Sequence, residues 1–299
     1  MADAEPSGLR GRHEEASSVI VPRAGISDPA AVAAHYDELD DLYRSLWGTN
    51  LHHGYWISGT ESAEEAVANL TRLVAEHAGM KIGDRVCDLG CGYGGAALMW
   101  NRDYGANVTG ITIAEKQWRY AESAACDNSQ LQFIRGDVSE NGFASESFDI
   151  VTAMESSEHM PDKAQFFAEA HRLLRPGGRC VIVAWLTREH PHCWESIYLL
   201  DPICREGRLP SMASAAEYRE FLENTGFREL SFLDLTHRVK RTWNICALRV
   251  IGRFFRDSSF RRILADQRFE NRIFAKTVFR IWLAYQTGAM RFGLFTARK

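Results

Sequence analysis

Apolar positions along this chain follow two different spacings that alternate through its middle part. Short apolar runs bounded by glycine, aspartate or asparagine are typical of buried strands, whereas apolar residues three and four positions apart are typical of helices. From residue 84 to residue 235 the two patterns alternate at short intervals, which is the arrangement that parallel β-α-β units require. Strands are predicted at residues 84–88, 107–113, 131–135, 148–154, 180–185, 228–235 and 291–298.

Helical patterns precede, connect and follow these strands. Residues 29–45 and 62–78 are predicted as helices before the first strand, and residues 238–289 as a helical region before the last strand. Further helices are predicted at residues 94–104, 115–126, 161–174 and 213–225. The sequence therefore predicts an α/β fold with a doubly wound, mostly parallel seven-stranded sheet, an N-terminal helical lid and a helical cap inserted before the last strand.

The same patterns divide the chain into five predicted segments. These are a flexible polar tail at residues 1–28, a helical lid at 29–80, a core at 81–235, a basic aromatic helical cap at 236–290 and a C-terminal edge strand at 291–299.

The composition supports a globular protein and excludes several classes. Apolar residues make up 45% of the chain, and no apolar run is long enough to span a bilayer. The first 18 residues contain acidic side chains and no apolar stretch, so we expect no signal peptide. The seven cysteines form no CxxC pair, which disfavours a disulfide framework and a structural zinc site and suits a cytoplasmic protein. His190, His192 and Cys193 are the candidate metal ligands, but an ordinary polar loop explains them as well, and no metal is predicted.

Charge is distributed unevenly along the chain. Residues 236–299 contain 15 Lys and Arg against three acidic residues, so this segment carries +12 and the first 235 residues carry −16. Arginines alternate here with aromatic residues, which predicts a cap over a hydrophobic acceptor that is anionic or is delivered at an acidic membrane surface. An amphipathic helix with its arginines in water is the alternative. Nucleic acid is not expected as a partner, because the rest of the chain is acidic and contains no RNA-binding module.

The segment VCDLGCGYGG, residues 86–95, is the most informative motif. An apolar run ends in Asp88 and passes into a turn that contains Gly90 and Gly92 before a predicted helix. A strand that leads through such a turn into a helix N-terminus is typical of nucleotide-binding corners, where glycine lets a ligand lie against bare backbone. The acidic residue before the glycines, and the lack of a pyrophosphate-sized loop, suit a nucleoside that carries a cation. A tight strand-to-helix turn without a ligand is the alternative.

Two further segments follow the next strands, where open α/β sheets bind ligands. In GITIAEKQ, residues 110–117, Thr112 stands where nucleoside-binding folds often place an acid for the ribose hydroxyls, so Glu115 or Gln117 would serve instead. After the third strand, the Asp137 carboxylate can accept from an adenine amine, and the amide of Val138 can reach the ring. Asp137 is otherwise a turn residue or a helix cap.

The segment MESSEHMPDK, residues 154–163, clusters Glu155, Glu158 and His159 after the fourth strand. Together with WGTNLHHGYW, GITIAEKQ and IVAWLTRE, this segment resembles motifs of the class I S-adenosylmethionine-dependent methyltransferases. Residues 84–186 of this chain resemble the core of that family. The motifs are most similar to the γ-tocopherol methyltransferase branch, which is related to plant alkaloid N-methyltransferases, sterol methyltransferases and bacterial sugar O-methyltransferases. The resemblance implies a Rossmann-like fold and S-adenosyl-L-methionine as cofactor.

The resemblance also implies roles for individual residues around the cofactor. Tyr36 and the connector at residues 47–56 would close over the methionyl end, although Trp47, Tyr55 and Trp56 are otherwise explained as core residues. The implied cofactor contacts are Tyr36, Asp88, Gly90, Gly92, Thr112, Gln117, Asp137, Val138 and Glu155.

The acceptor side departs from one branch of these relatives. The sugar O-methyltransferases deprotonate their acceptor with a His–Asp pair, but here Glu158 stands in place of that histidine and Trp185 in place of that aspartate. We therefore expect Glu158 or His159 to orient or deprotonate the acceptor, with His159 otherwise only fixing its loop. Trp56, Trp185 and Trp282 are the predicted acceptor contacts.

The function implied is methyl transfer to a lipophilic aromatic or isoprenoid small molecule of secondary metabolism. The alternatives are N- or O-methylation of an alkaloid, glycoside or other natural product, and a non-catalytic protein that binds S-adenosylmethionine. A homodimer stays open.

Overall fold

The computed structural model describes residues 19–22, 28–38, 40, 44, 50–265 and 274–299. The predicted N-terminal tail therefore lies outside the described residues except for 19–22 and 28. Trp47 of the aromatic connector also lies outside them.

A seven-stranded sheet forms the centre of the protein, as predicted, in the order β3-β2-β1-β4-β5-β7-β6. β1 to β5 run parallel, and β7 runs antiparallel to both of its neighbours. The strands are β1 (Arg85–Leu89), β2 (Asn107–Thr112), β3 (Leu131–Arg135), β4 (Phe148–Met154), β5 (Leu174–Thr187), β6 (Arg228–Asp234) and β7 (Met290–Arg298). Because the strand order reverses between β1 and β4, the carboxyl ends of these two strands flank a crevice of the kind that binds ligands in such sheets.

The position of the last strand corrects one prediction. The strand itself is present, but it lies between β5 and β6 and is not at the edge, which β6 occupies. Phe292, Leu294 and Phe295 are buried on both faces of β7, which suits an interior strand, whereas β6 is mostly exposed. At Gly293 the strands approach so closely that a Cβ would lie 2.2 Å from the Phe232 ring.

Helices cover both faces of the sheet. They are α1 (Pro29–Glu38), α2 (Ala63–Ala78), α3 (Gly95–Tyr104), α4 (Glu115–Ala125), α5 (Lys163–Leu173), α6 (Cys193–Glu195), α7 (Asp201–Glu206), α8 (Ala215–Thr225), α9 (Thr236–Val239), α10 (Arg241–Arg256), α11 (Ser258–Ala265) and α12 (Phe274–Thr287). Leu70, Trp100, Trp243 and Tyr285 belong to the apolar cluster on one face of the sheet. In the cluster on the other face, strand residues pack mainly against the helices α5 and α8.

The sequence analysis assigned no element to the chain between β5 and α8. This stretch forms α6, a π-helical turn at Ser196–Leu200 and α7, and it packs against α12. The predicted helical region at residues 238–289 is confirmed where it is described, as α10, α11 and α12. These helices place the cap beside the carboxyl ends of β4 and β5.

Candidate active site

A cavity of about 140 Å³ lies at the carboxyl ends of β1, β2 and β4, beneath α1. The nine predicted cofactor residues all line it, namely Tyr36, Asp88, Gly90, Gly92, Thr112, Gln117, Asp137, Val138 and Glu155. Residues of the connector before α2, Asn50, Leu51 and His52, complete its wall. We call this space the nucleoside cavity.

Bare backbone forms one side of the nucleoside cavity. Gly90 has a φ of +91°, and a Cβ there would lie 2.3 Å from the Cβ of Ser156, so only glycine fits. At Gly92 and Gly136 the situation is the opposite, because a Cβ would meet no protein atom within 4 Å. Both of these glycines line the cavity, so the space that their side chains would fill is left for a ligand. The glycine corner therefore fits the nucleoside-bearing cofactor that the sequence predicts.

Asp88 presents a buried carboxyl group at the end of β1. Its side chain is only 2% exposed, and Thr152 donates a hydrogen bond of 3.0 Å to Oδ1. Burial raises the pKa of Asp88 to about 7, and the Thr152 hydroxyl offsets this only in part. Since Asp88 also lines the cavity, a cationic or hydrogen-bonding ligand would favour its ionised form.

The structure distinguishes between the two candidates that were left open at the end of β2. The Thr112 hydroxyl donates to Oε1 of Gln117 over 2.8 Å and so orients the amide group of that side chain in the cavity wall. Glu115 instead pairs with Arg119 and Arg135 on the surface. Of the two candidates, Gln117 lines the nucleoside cavity and Glu115 does not.

Asp137 caps a turn, as the alternative given from the sequence expects, and its contact with an adenine stays a prediction. Its Oδ1 accepts a hydrogen bond of 2.7 Å from the backbone N–H of Ser139 and so caps the 3₁₀ turn at Val138–Glu140. The same residue lines the nucleoside cavity beside Val138.

A second cavity, of about 80 Å³, adjoins the first, and we call it the acceptor cavity. Tyr36, Leu51, His52, Glu155 and His159 line both cavities and form the wall between them. The remaining lining residues are His53, Glu158, Trp185, Ile203, Gly207, Leu209, Thr242, Trp243, Thr277 and Ile281. The predicted residues Glu158, His159 and Trp185 thus meet here, next to cap residues that the sequence analysis did not single out.

Two predicted acceptor contacts lie elsewhere. Trp282 is 37% exposed on the outer side of α12, where its indole N–H donates to Asn244 over 2.8 Å. Its neighbour Ile281 lines the acceptor cavity instead, because successive residues of a helix point about 100° apart. Trp56 is 4% exposed and packs close to Gly54, outside both cavities, which agrees with the alternative that it is a core residue.

His159 and Tyr36 face each other in the shared wall. His159 Nε2 lies 2.9 Å from the Tyr36 hydroxyl, and Nδ1 lies 3.4 Å from the Arg208 carbonyl oxygen. A carbonyl only accepts, so we assign the proton to Nδ1, and Nε2 then accepts from Tyr36. Burial and the charge of Lys163 lower the pKa of His159 to about 4, so the imidazole is neutral at physiological pH. Burial and the nearby Glu158 raise the pKa of Tyr36, which keeps its proton.

Glu158 is held at the back of the acceptor cavity. Its carboxylate accepts from the backbone N–H of Trp185 and from the Ser157 hydroxyl. The two residues expected in place of the His–Asp pair are therefore in direct contact. Burial raises the pKa of Glu158 to about 7. Beneath it, burial lowers the pKa of Lys163 to about 8, and the Lys163 ammonium ties the loop together by donating to the carbonyl oxygens of Glu158, Met160 and Ser211.

Glu155 is bound by His53, a functional candidate that the sequence analysis missed. The backbone N–H and Nδ1 of His53 lie 2.6 and 2.9 Å from the two carboxylate oxygens, and the Trp185 indole N–H donates over 2.6 Å. Burial alone raises the pKa of Glu155, but the interactions with His53 and Trp185 outweigh it and hold the pKa below its usual value. The paired histidines in the motif WGTNLHHGYW were the available signal.

Among the residues that the structure describes, no group of three or more His, Cys, Asp and Glu side chains could hold a metal ion. His192 instead caps α6, where its backbone N–H donates to Glu195. Within the described part of the chain, no helix is long and apolar enough to cross a membrane.

Comparisons with known proteins agree with this geometry. A family model described as a methyltransferase domain matches residues 87–182. The chain is 32% identical over 275 residues to 27-O-demethylrifamycin SV methyltransferase from Amycolatopsis mediterranei, covering 91% of this chain and 97% of the relative. It is 32% identical over 251 residues to the chloroplastic tocopherol O-methyltransferase of Arabidopsis thaliana, covering 76% of this chain and 72% of the relative.

Among solved structures, the crystal structure of the 4+2 cyclase SpnF superposes with a TM-score of 0.76 at 26% identity and covers 93% of this chain and 98% of that chain. A nucleoside cavity at the switch point of a doubly wound sheet, joined to an acceptor cavity, defines a class I methyltransferase site. The chain belongs to the class I S-adenosylmethionine-dependent methyltransferases. It is a methyltransferase that uses S-adenosylmethionine, and the predicted fold, enzyme class and cofactor are confirmed.

Proposed function

We propose that this protein transfers the methyl group of S-adenosylmethionine to a hydroxyl oxygen of a lipophilic natural product. The observation that carries the proposal is the neutral His159 in the wall shared by the two cavities, where it can accept a proton from an acceptor. Two relatives with similar sequences are named as O-methyltransferases of a rifamycin and of tocopherol, which supports a hydroxyl acceptor.

In this proposal the nine cofactor residues predicted from the sequence, all of which line the nucleoside cavity, hold the cofactor. Asp88, Gly90 and Gly92 bind its methionine and ribose, and the Thr112–Gln117 pair orients an amide toward the ribose. Asp137 and Val138 frame the adenine. When bound, the cofactor supplies a methyl group already activated by a positively charged sulfur.

α1 acts as the lid over this site. The side chain of Asp37 accepts from the backbone N–H of Lys116 over 3.0 Å, and the Lys116 ammonium donates to the Asp37 carbonyl over 2.8 Å. Tyr93 also donates to Asp40. These contacts hold the C-terminal end of α1 against α4 and Tyr93 and place Tyr36 in the wall that separates the cavities, where closure excludes water.

The acceptor occupies the cavity lined by Trp185 and the cap helices. Its hydroxyl replaces Tyr36 as the donor to Nε2 of His159. As the methyl group would pass from the cofactor's sulfur to the acceptor oxygen, with the electrons of the broken carbon–sulfur bond left on sulfur, the hydroxyl proton would pass to Nε2 of the imidazole, whose Nδ1 is anchored on the Arg208 carbonyl. Glu158 orients the acceptor from the back of the cavity. The apolar walls select a lipophilic molecule.

The test uses S-adenosylmethionine labelled with carbon-13 in the methyl group. Purified protein is incubated with a fractionated lipophilic extract of the source organism, and products that gain one CH₂ are isolated. We expect the labelled carbon to give the resonance of an O-methyl group. A labelled C-methyl or N-methyl group would overturn the hydroxyl acceptor. Cofactor binding without S-adenosylhomocysteine formation would favour a binding protein, and an unlabelled cyclised product would favour a reaction like that for which SpnF is named.

A further inference from the structure

α10 and α12 present apolar side chains on both sides. Their inner faces line the acceptor cavity through Thr242, Trp243, Thr277 and Ile281. The outer faces expose large apolar residues, and the hydrogen bond from Trp282 to Asn244 joins them into one surface. This outer apolar patch consists of Leu248, Ile251, Phe255, Phe279, Trp282 and Leu283, which are 68%, 41%, 74%, 38%, 37% and 39% exposed. Exposed large apolar side chains grouped on two packed helices, rather than scattered singly, favour an interaction site over ordinary surface.

Basic side chains border the patch. Arg249 and Arg256 are exposed on the adjoining face of α10, and Arg262 and Lys276 are exposed on α11 and α12. The segment to which these helices belong carries +12, whereas the first 235 residues carry −16. An anionic surface would therefore attract this side of the protein and repel the rest, which fixes the orientation of approach.

A groove connects the patch with the site. It has a volume of about 1130 Å³ and runs between α2 and α10. Leu248 of the patch lines it at one end, and His52 and Thr242 line both the groove and the acceptor cavity. The groove thus shares lining residues with both the patch and the acceptor cavity and offers a route between them.

We propose that the outer apolar patch docks this protein onto an anionic lipid surface, with its aromatic and aliphatic side chains inserted among the lipids and the bordering arginines on the headgroups. This docking would also name the membrane as the source of the lipophilic acceptor. That part of the proposal rests on the proposed function, whereas the docking itself does not. A second copy of this chain is a less favourable partner for the outer apolar patch. In a two-fold interface, the basic residues that border the patch would face the same residues of the other copy and repel them.

Vesicle flotation tests the docking without any turnover, so its failure is distinct from failure of the proposed function. The vesicles contain phosphatidylcholine alone or phosphatidylcholine mixed with phosphatidylglycerol. We expect the full chain to bind the anionic vesicles and to be released by salt. The variant L248S/F255S should lose at least about tenfold in partitioning because its apolar insertion is gone. The variant R249Q/R256Q should lose about fivefold for each arginine.

I82S is the matched control, since Ile82 is 86% exposed but lies outside the cap. It should bind as the wild-type protein does, and circular dichroism checks that every variant is folded. Equal binding to neutral vesicles, no binding of the folded wild-type protein, or unchanged binding by both double variants would overturn the proposal. Self-association that the patch variants abolish, without vesicle binding, would assign the patch to a second copy instead.

Discussion

The indole N–H of Trp243 donates to Nε2 of His53 across 2.7 Å. This contact fixes the histidine tautomer, because an Nε2 that accepts leaves the proton on Nδ1, which then donates to Glu155 over 2.9 Å. The Tyr285 hydroxyl also approaches Nε2, at 3.1 Å. A cap residue thereby controls the orientation of a carboxylate that lines both cavities.

Replacing His53 by phenylalanine should destabilise the protein by about 1 to 3 kcal/mol, because Glu155 loses one buried hydrogen-bond donor and the Trp243 indole loses its acceptor. Urea unfolding measures this loss. H77F, at an exposed position of α2, is the control and should change the free energy of unfolding by less than about 0.5 kcal/mol. The double variant H53F/E155Q should recover part of the loss. If H53F and H77F were equally stable, the contact between His53 and Glu155 would contribute nothing to the stability of the fold.

His159→Gln should lower kcat by about a hundredfold or more, the usual contribution of a positioned proton acceptor. The dissociation constant of S-adenosylhomocysteine, measured by calorimetry, should stay unchanged. Tyr36→Phe should leave kcat within about twofold of the wild-type value, since the acceptor hydroxyl already replaces the Tyr36 hydroxyl at Nε2 in the productive complex. H171Q, a partly buried histidine of α5, serves as control. Full turnover by H159Q would exclude the proton transfer proposed above.

Activity should depend on the ionisation of Glu158. Its pKa of about 7 means that the carboxylate form grows as the pH rises through neutrality. With S-adenosylmethionine at saturation, so that the bound cofactor keeps Asp88 ionised, we expect kcat/KM for the acceptor to rise across this range in the wild-type enzyme and to be flat in E158Q. The same rise in both enzymes would show that another group titrates.

Asp88→Asn should change the pH dependence of stability. Below the pKa of an ordinary aspartate, the group is protonated in both the folded and the unfolded states. As the pH rises toward 7, the unfolded chain loses this proton but the folded protein keeps it, so folding stability falls. The advantage of D88N over the wild-type protein should therefore grow by about 4 kcal/mol between pH 4 and pH 8.

Urea unfolding at both pH values measures this difference, and comparison with the wild-type protein cancels the other titrating groups. D88N should also bind S-adenosylhomocysteine more weakly, because the carboxylate at the cavity wall is lost. A constant stability difference across the range would mean that Asp88 is ionised throughout.

Gly136→Ala should weaken cofactor binding without harming the fold. The added methyl group would meet no protein atom within 4 Å, and Gly136 lines the nucleoside cavity. We expect about a tenfold loss of affinity for S-adenosylhomocysteine, comparable to the cost of misfitting a methyl group. G252A also meets no atom within 4 Å, but it lies on α10 and should stabilise that helix without affecting the cofactor. Equal affinities of the two variants would place the adenine elsewhere.

The nucleoside cavity could be predicted from sequence because its residues directly follow strands. Asp88, Thr112 and Glu155 lie at the carboxyl ends of three neighbouring parallel strands, which necessarily meet at one edge of the sheet. Chain order alone therefore brings them together. Their roles toward the cofactor stay predictions until binding is measured.

The acceptor cavity could not be predicted to the same extent. Its outer wall comes from the cap, and the inward face of a cap helix depends on how that helix docks. Ile281 and Trp282 are both apolar, so periodicity alone cannot decide which of them faces the cavity. Contacts between distant segments, such as His53 with Trp243, have no local signal. The order of strands at the end of the sheet is likewise a property of packing, which is why β7 was expected at the edge.

The interior position of β7 has a consequence for biosynthesis. This strand pairs with β5 on one side and β6 on the other, and β6 has no other strand partner among the residues that the structure describes. While the ribosome is still translating the cap, β5 has an open edge and β6 has nothing to pair with, so the nascent chain exposes two unpaired strands. Closure of the sheet must wait until residues 290–298 leave the exit tunnel. A premature stop anywhere in the cap would release an aggregation-prone fragment rather than a smaller working enzyme.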